Sequence, residues 1–126
     1  MERFAWICLA GAAGSGARYL IGLWAAQRFG PAFPYGTLFV NLGGCFLMGA
    51  IMQSALTLSW SETARMAITV GFLGGLTTYS AFNYETTRFL ESGAYGAAAT
   101  NATFTIAGSM IAGVLGMWLM RSLLTR

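Results

Sequence analysis

Residues Gly71–Phe82, GFLGGLTTYSAF, place three glycines and two threonines inside a stretch that is otherwise apolar enough to enter a bilayer. A helix interrupted at membrane depth bares backbone N–H and C=O groups that hydrocarbon cannot satisfy. The break must therefore face protein, water or an ion. In membrane transport proteins such breaks sit where an ion or substrate is held. The chemistry that this stretch points to is ion coordination by backbone, not covalent catalysis.

Other polar side chains gather around the same idea. Intramembrane polar groups are costly and are kept for function. Asn41 follows Thr37 by one helical turn, so both can share a face, and an Asn amide can donate two hydrogen bonds through its nitrogen. Pairing with a neighbouring helix is the plainer use of that amide; meeting an anion stripped of water is the functional one. Tyr79 and Phe82 lie three residues apart and project to one side, with Ser80, Asn83 and Thr87 as a polar stripe beside them. Asn101, Thr105 and Ser109 repeat every four residues and form a second stripe. Hydroxyl-rich stripes flanking aromatic rings suit a narrow anion path, because ring edges carry partial positive charge. Arg18, within the first apolar stretch, either snorkels to a headgroup or draws an anion into a vestibule. Glu85 and Arg88, three residues apart, read as an ion pair near the membrane boundary. A proton-coupled role for Glu85 is the alternative.

The elements that must position these groups are helices in lipid. Of 126 residues, 56% are hydrophobic and only 9% charged, where a soluble domain carries about a quarter charged. Mean hydropathy is +0.62. This length accommodates four helical spans of about 20–25 residues in a single transmembrane domain, residues 1–126, with little left for a soluble one. The predicted spans are 3–27, 36–58, 62–90 with a break near 74–78, and 94–120. Pro31 and Pro34 mark the first loop, and Ser61 is placed to cap the third span. The first span reads as a retained helix rather than a cleaved signal, since three further spans follow. Gly108, Ala112 and Gly116, like Gly71 and Gly75, fall at four-residue spacing, which lets backbones approach closely in lipid; on the fourth span this serves either packing within the chain or a subunit interface, and at the break in the third span an interface is the better reading.

The net charge of +3 comes wholly from arginine, too little and too scattered for nucleic acid. With four spans, Arg3, Arg65, Arg121 and Arg126 fall on one side, against Arg28, Arg88 and, at most, Arg18 on the other. That is a weak positive-inside bias, compatible with insertion in both orientations and an antiparallel pair. Cys8 and Cys45 have apolar neighbours and no metal-like spacing, so they read as buried free thiols.

The motifs GTLFVNLGG at 36–44, GGLTTYSAF at 74–82 and GARYL at 16–20 closely resemble the Fluc (CrcB-type) fluoride channel family. The resemblance covers essentially the whole chain. It implies an all-α membrane protein of four transmembrane helices, the third broken near its middle, forming an antiparallel, dual-topology homodimer in the bacterial inner membrane. It further implies passive export of fluoride from the cytoplasm through two pores, around a central structural sodium ion. On these residues, the Gly74 and Thr77 carbonyls of both subunits would hold the sodium. Asn41, Tyr79, Ser80, Phe82 and Ser109 would line the fluoride pore, and Arg18 the vestibule; Thr105 and Glu85 are weaker correspondences. Tyr79 stands where the family motif has phenylalanine, and Ala81 where it has threonine.

Two other readings compete. A small multidrug-type proton-coupled exporter should carry a carboxylate in its first span, which here holds Arg18 and no internal acid. A non-transporting assembly subunit would show no flux by itself. No histidine, metal cluster or nucleophile constellation suggests an enzyme.

Overall fold

The computed structural model describes residues 1–125. Every regular element among them is helical. Helix α1 runs Glu2–Phe29 and stops at Gly30, whose φ of 81° suits a residue without a β-carbon. The loop through Pro31 and Pro34 leads into α2, Tyr35–Thr57. After a short connector, α3 (Glu62–Met66) begins at Ser61, whose hydroxyl accepts the Ala64 N–H at 3.2 Å. The chain continues as a π-helical segment, Ala67–Leu73, and one short turn, α4 (Gly74–Leu76). Thr77 and Thr78 are extended, with φ/ψ of −82°/156° and −152°/114°. Helix α5 spans Tyr79–Glu91, and α6 spans Tyr95–Leu124.

Three helices, α1, α2 and α6, are long and apolar enough to cross a membrane. With 28, 23 and 30 residues they exceed the ~20 that a hydrocarbon core requires. The segment predicted as a further span is divided among α3, the π-helical segment, α4 and α5. Polarity is arranged as a membrane protein requires: the buried residues include Asn41, Thr78, Asn101 and Thr105, while Leu20, Ile111 and Trp118 are exposed. The apolar core is small, built on Val40, Leu73 and Leu76, with Ile21, Met48 and Phe72 packed against it.

Close backbone approach does much of the packing. On the α2–α6 seam a β-carbon at Gly116 would overlap the Phe46 carbonyl, and one at Gly49 would overlap the Gly113 carbonyl. On the other side, Gly14 of α1 lies against the Phe72 carbonyl, and Gly75 lies against the Gly11 carbonyl. Gly108 rests on Leu42 of α2. The four-residue glycine spacings on the third and fourth predicted spans therefore serve contacts within one chain. At one end of α1 and α2, Trp24, Phe29, Tyr35 and Phe39 form a continuous aromatic cluster, with Trp24 and Phe29 edge-on at 5.7 Å. Such clusters suit the headgroup level of a bilayer.

Two expectations need correction. Cys8 is exposed on α1 and Cys45 is only half-buried, so neither is a fully buried thiol. An exposed position on an apolar helix is one that lipid or another chain covers, and composition does not distinguish it from core. Arg88 pairs with Glu91 at 3.3 Å instead of Glu85.

Candidate functional site

The site is organised by the non-helical pair Thr77–Thr78. Asn41, 7% exposed, reaches across from α2 and pairs with both polar groups of the Thr78 backbone. Its Nδ2 donates to the Thr78 carbonyl at 3.1 Å, and the Thr78 N–H donates to its Oδ1 at 2.8 Å. One of the two amide protons is spent in this way, which leaves the second for another acceptor. Thr78 also opens α5: its Oγ1 accepts the Ala81 N–H at 3.2 Å and lies 3.2 Å from the Ser80 hydroxyl. Thr77 is held by its own N–H and hydroxyl, both donating to the Leu73 carbonyl at 3.0 Å.

These bonds free two carbonyls. In an unbroken helix the Thr78 N–H would pair with the Gly74 carbonyl, and the Ala81 N–H with the Thr77 carbonyl. Asn41 and the Thr78 hydroxyl capture those donors instead. Gly74 is exposed on the surface of the chain. Carbonyl oxygens released from helical bonding are the ligands that a hard cation takes, so the residues present fit a sodium ion.

Beside the break lies a cavity of about 270 Å³. It is lined by Asn41, Cys45, Tyr79, Phe82, Thr105 and Ser109, together with Thr77, Thr78 and Ile106. The Tyr79 and Phe82 rings are 5.5 Å apart and tilted by 59°. They differ sharply in environment: Phe82 is 5% exposed and Tyr79 is 78% exposed. The Thr105 and Ser109 hydroxyls are buried and have no hydrogen-bond partner among the described residues. A hydroxyl in that position is a donor awaiting an acceptor.

A second cavity, of about 430 Å³, opens at the other end of this region and is lined in part by Thr37, Tyr84, Glu85 and Arg88. The Thr37 hydroxyl donates to Glu85 Oε1 at 2.6 Å. Thr37, Asn41 and Cys45 follow one another by single turns of α2, so the two cavities lie in sequence along that helix.

Five of the residues singled out from the sequence for an anion path, Asn41, Tyr79, Phe82, Thr105 and Ser109, line the smaller cavity, as does Thr77. Ser80 is exposed and reaches the site only through the Thr78 hydroxyl. Arg18 is half-buried on α1, apart from the cavity lining. Three participants were not assigned to the site from sequence: Thr78, Cys45 and Thr86. Thr86 accepts from Asn101 Nδ2 at 2.9 Å and donates to the Phe82 carbonyl at 2.8 Å. The helical spacing of Cys45 behind Asn41 was the available signal for the second of these.

Comparison with known proteins gives the family. The family model described as "CrcB-like protein, Camphor Resistance (CrcB)" matches residues 5–117. A protein of Sorangium cellulosum, named "Fluoride-specific ion channel FluC", is 49% identical over 125 residues, covering 98% of each chain. Proteins of the same name from Anaeromyxobacter sp. (strain K) and Citrifermentans bemidjiense are 45% and 44% identical, over 96% and 98% of this chain and 97% and 100% of theirs. By this match over nearly its full length, the chain belongs to the CrcB-like family.

Proposed function

We propose that this protein is a passive, fluoride-selective ion channel that exports fluoride from the cytoplasm across the bacterial inner membrane. The reading is supported by the name its relatives carry and by one observation above all. Thr105 and Ser109, whose buried hydroxyls have no hydrogen-bond partner among the described residues, line one cavity with Asn41 and Phe82. Fluoride is small and strongly hydrated, so its passage requires several donors at close quarters. Asn41 offers its second amide proton, Ser80 and Ser109 offer hydroxyls, and Tyr79 and Phe82 offer ring edges. A constricted path discriminates against the larger chloride, and weak binding at several stations keeps passage fast. Arg18 raises the local anion concentration at the vestibule. No covalent step is involved.

The functional unit is an antiparallel, dual-topology homodimer. The exposed Gly74 beside the break, with a carbonyl released from helical bonding, and the hydroxyl of the exposed Tyr79 are ill-suited to lipid at membrane depth, and a second copy covers them. In that dimer the stretch 62–91 acts as the third transmembrane span, interrupted near its middle. The Gly74 and Thr77 carbonyls of both copies hold a sodium ion, which supplies fixed positive potential between two pores.

Fluoride efflux from proteoliposomes tests the proposal. Electrogenic fluoride release without a pH gradient, with chloride retained, is expected. Proton-coupled cation exchange, or no flux from the purified protein, would overturn it.

A further inference from the structure

The cavity of about 430 Å³ beside the Pro31–Pro34 loop is lined in part by Phe33, Tyr35, Tyr84 and Phe89, and it carries two opposite charges, Glu85 and Arg88. The Glu85 carboxylate is fixed at its wall by the Thr37 hydroxyl, 2.6 Å from Oε1, and joins no ion pair among the described residues. Arg88 is exposed, and its single bond to Glu91 at 3.3 Å leaves further guanidinium N–H donors free. A zwitterion offering an ammonium to one and a phosphate to the other matches this pair, whereas a lone cation or anion matches half of it. A second cavity, of about 280 Å³, shares Phe33 and Tyr35 with the first and continues over Leu38, Thr100 and Phe104. Leu38 and Phe104 lie further along α2 and α6 than Tyr35 and Tyr95, where those helices begin. The charged cavity therefore leads into a more apolar one that runs inward from the helix ends. Arg88 lies ten residues past Thr78, about 15 Å along α5 at ~1.5 Å per residue. With the break near the middle of the span, that distance is half of a ~30 Å hydrocarbon core, the level of the headgroups. The depth rests on the spanning arrangement proposed above; the charge pair and the cavities do not.

We propose that the two cavities form one binding site for a zwitterionic phospholipid with a primary-ammonium headgroup, of the phosphatidylethanolamine class. The ammonium meets Glu85 among the aromatic rings, the phosphodiester meets Arg88, and the first part of an acyl chain lies over Leu38 and Phe104. A quaternary ammonium, as in phosphatidylcholine, has no N–H to donate to the carboxylate. An anionic headgroup such as phosphatidylglycerol leaves Glu85 without a countercharge.

The full chain is purified in detergent, stripped of lipid, and mixed with equal amounts of phosphatidylethanolamine, phosphatidylcholine and phosphatidylglycerol of matched acyl chains. Retained lipid is then counted by native mass spectrometry. One phosphatidylethanolamine per chain, favoured about tenfold over each of the others, is expected. Glu85→Gln removes the charge at nearly the same shape and should bring phosphatidylethanolamine down to the level of phosphatidylcholine. Arg88→Gln, at an exposed position, should lower retention of both by about tenfold, and it decides the matter if Glu85→Gln does not fold. Equal retention of the three lipids, or a preference for phosphatidylglycerol, overturns the proposal. So does a preference that survives both substitutions, or no retained lipid at all, as when a second copy covers the cavities. Displacement of the lipid by an equal concentration of soluble phosphoethanolamine would place recognition in the headgroup alone and overturn the acyl-chain half. Fluoride efflux is read separately: its absence sinks the channel reading, while the lipid count still decides this one.

Discussion

The γ-methyl group of Thr77 lies against the α-carbon side of Gly44, so close that a β-carbon at position 44 would overlap it. Thr77 cannot swing aside freely, because its hydroxyl donates to the Leu73 carbonyl and its β-branched side chain is stiff. Gly44→Ala should therefore displace the turn, at a cost of about 1–3 kcal/mol. Adding Thr77→Ser removes the overlapping methyl while keeping the hydroxyl. Thermal midpoints in detergent should show a marked loss in the single variant and substantial recovery in the double one. Equal loss in both would mean that the overlap is relieved by helix movement, and the turn is not the strained partner.

Asn41 has two duties that substitution can separate. It completes the Thr78 backbone, and it keeps one amide proton spare. In Asn41→Asp, a protonated carboxyl could still satisfy both Thr78 groups, but no spare donor would remain. An ionised one would place an acceptor-only charge in the path. Losing a buried donor costs about 1–3 kcal/mol, so fluoride efflux should fall by about 10-fold or more. Efflux at the parental rate in a folded Asn41→Asp protein would refute the pore role of Asn41.

Phe82 and Tyr79 touch the same cavity from opposite extremes of exposure. Phe82→Ile keeps an apolar side chain of moderate size but removes the ring edge. It should lower fluoride efflux by about tenfold while costing only about 1–2 kcal/mol of stability, since the change is between apolar groups. Parental efflux in a stable Phe82→Ile protein would count against ring-edge contact with the ion.

Much of this arrangement was legible in the sequence, for reasons that also mark where reading stops. Two glycines followed by two threonines within an apolar run announce a change of backbone, and the helix does end at Leu76 and resume at Tyr79. Four-residue spacing placed Asn101, Thr105 and Ser109 on one face of α6, and those three do hold buried polar atoms without partners. Spacing fixes a face but not what that face meets. Glu85 turned to Thr37 on another helix, leaving Arg88 to Glu91, because helix rotation and crossing decide long-range partners. Cys8 departs from the expectation of a buried thiol for a related reason. On a uniformly apolar helix the lipid-facing and core-facing positions have the same composition. The Asn41–Thr78 pairing joins residues 37 positions apart, a distance over which periodicity carries no information.

Asn101 offers the sharpest test of how α6 is fastened to α5. It is fully buried, its Nδ2 donates to Thr86 Oγ1, and its Oδ1 has no partner. The amide orientation follows from chemistry. The single Thr86 hydroxyl proton goes to the Phe82 carbonyl, so Thr86 can only accept from position 101. Asn101→Leu removes that bond and the unpartnered oxygen with the same number of side-chain heavy atoms but bulkier methyl groups, and should cost about 1 kcal/mol. Asn101→Ala leaves a void as well and should cost about 1–3 kcal/mol. Asn101→Asp sets a buried acceptor against an acceptor, an uncompensated charge costing about 3–5 kcal/mol when ionised. Thermal midpoints should therefore fall in the order leucine, alanine, aspartate. Leucine proving as damaging as aspartate would mean that the Oδ1 of Asn101 is satisfied in the assembled protein, by water or by a neighbouring copy.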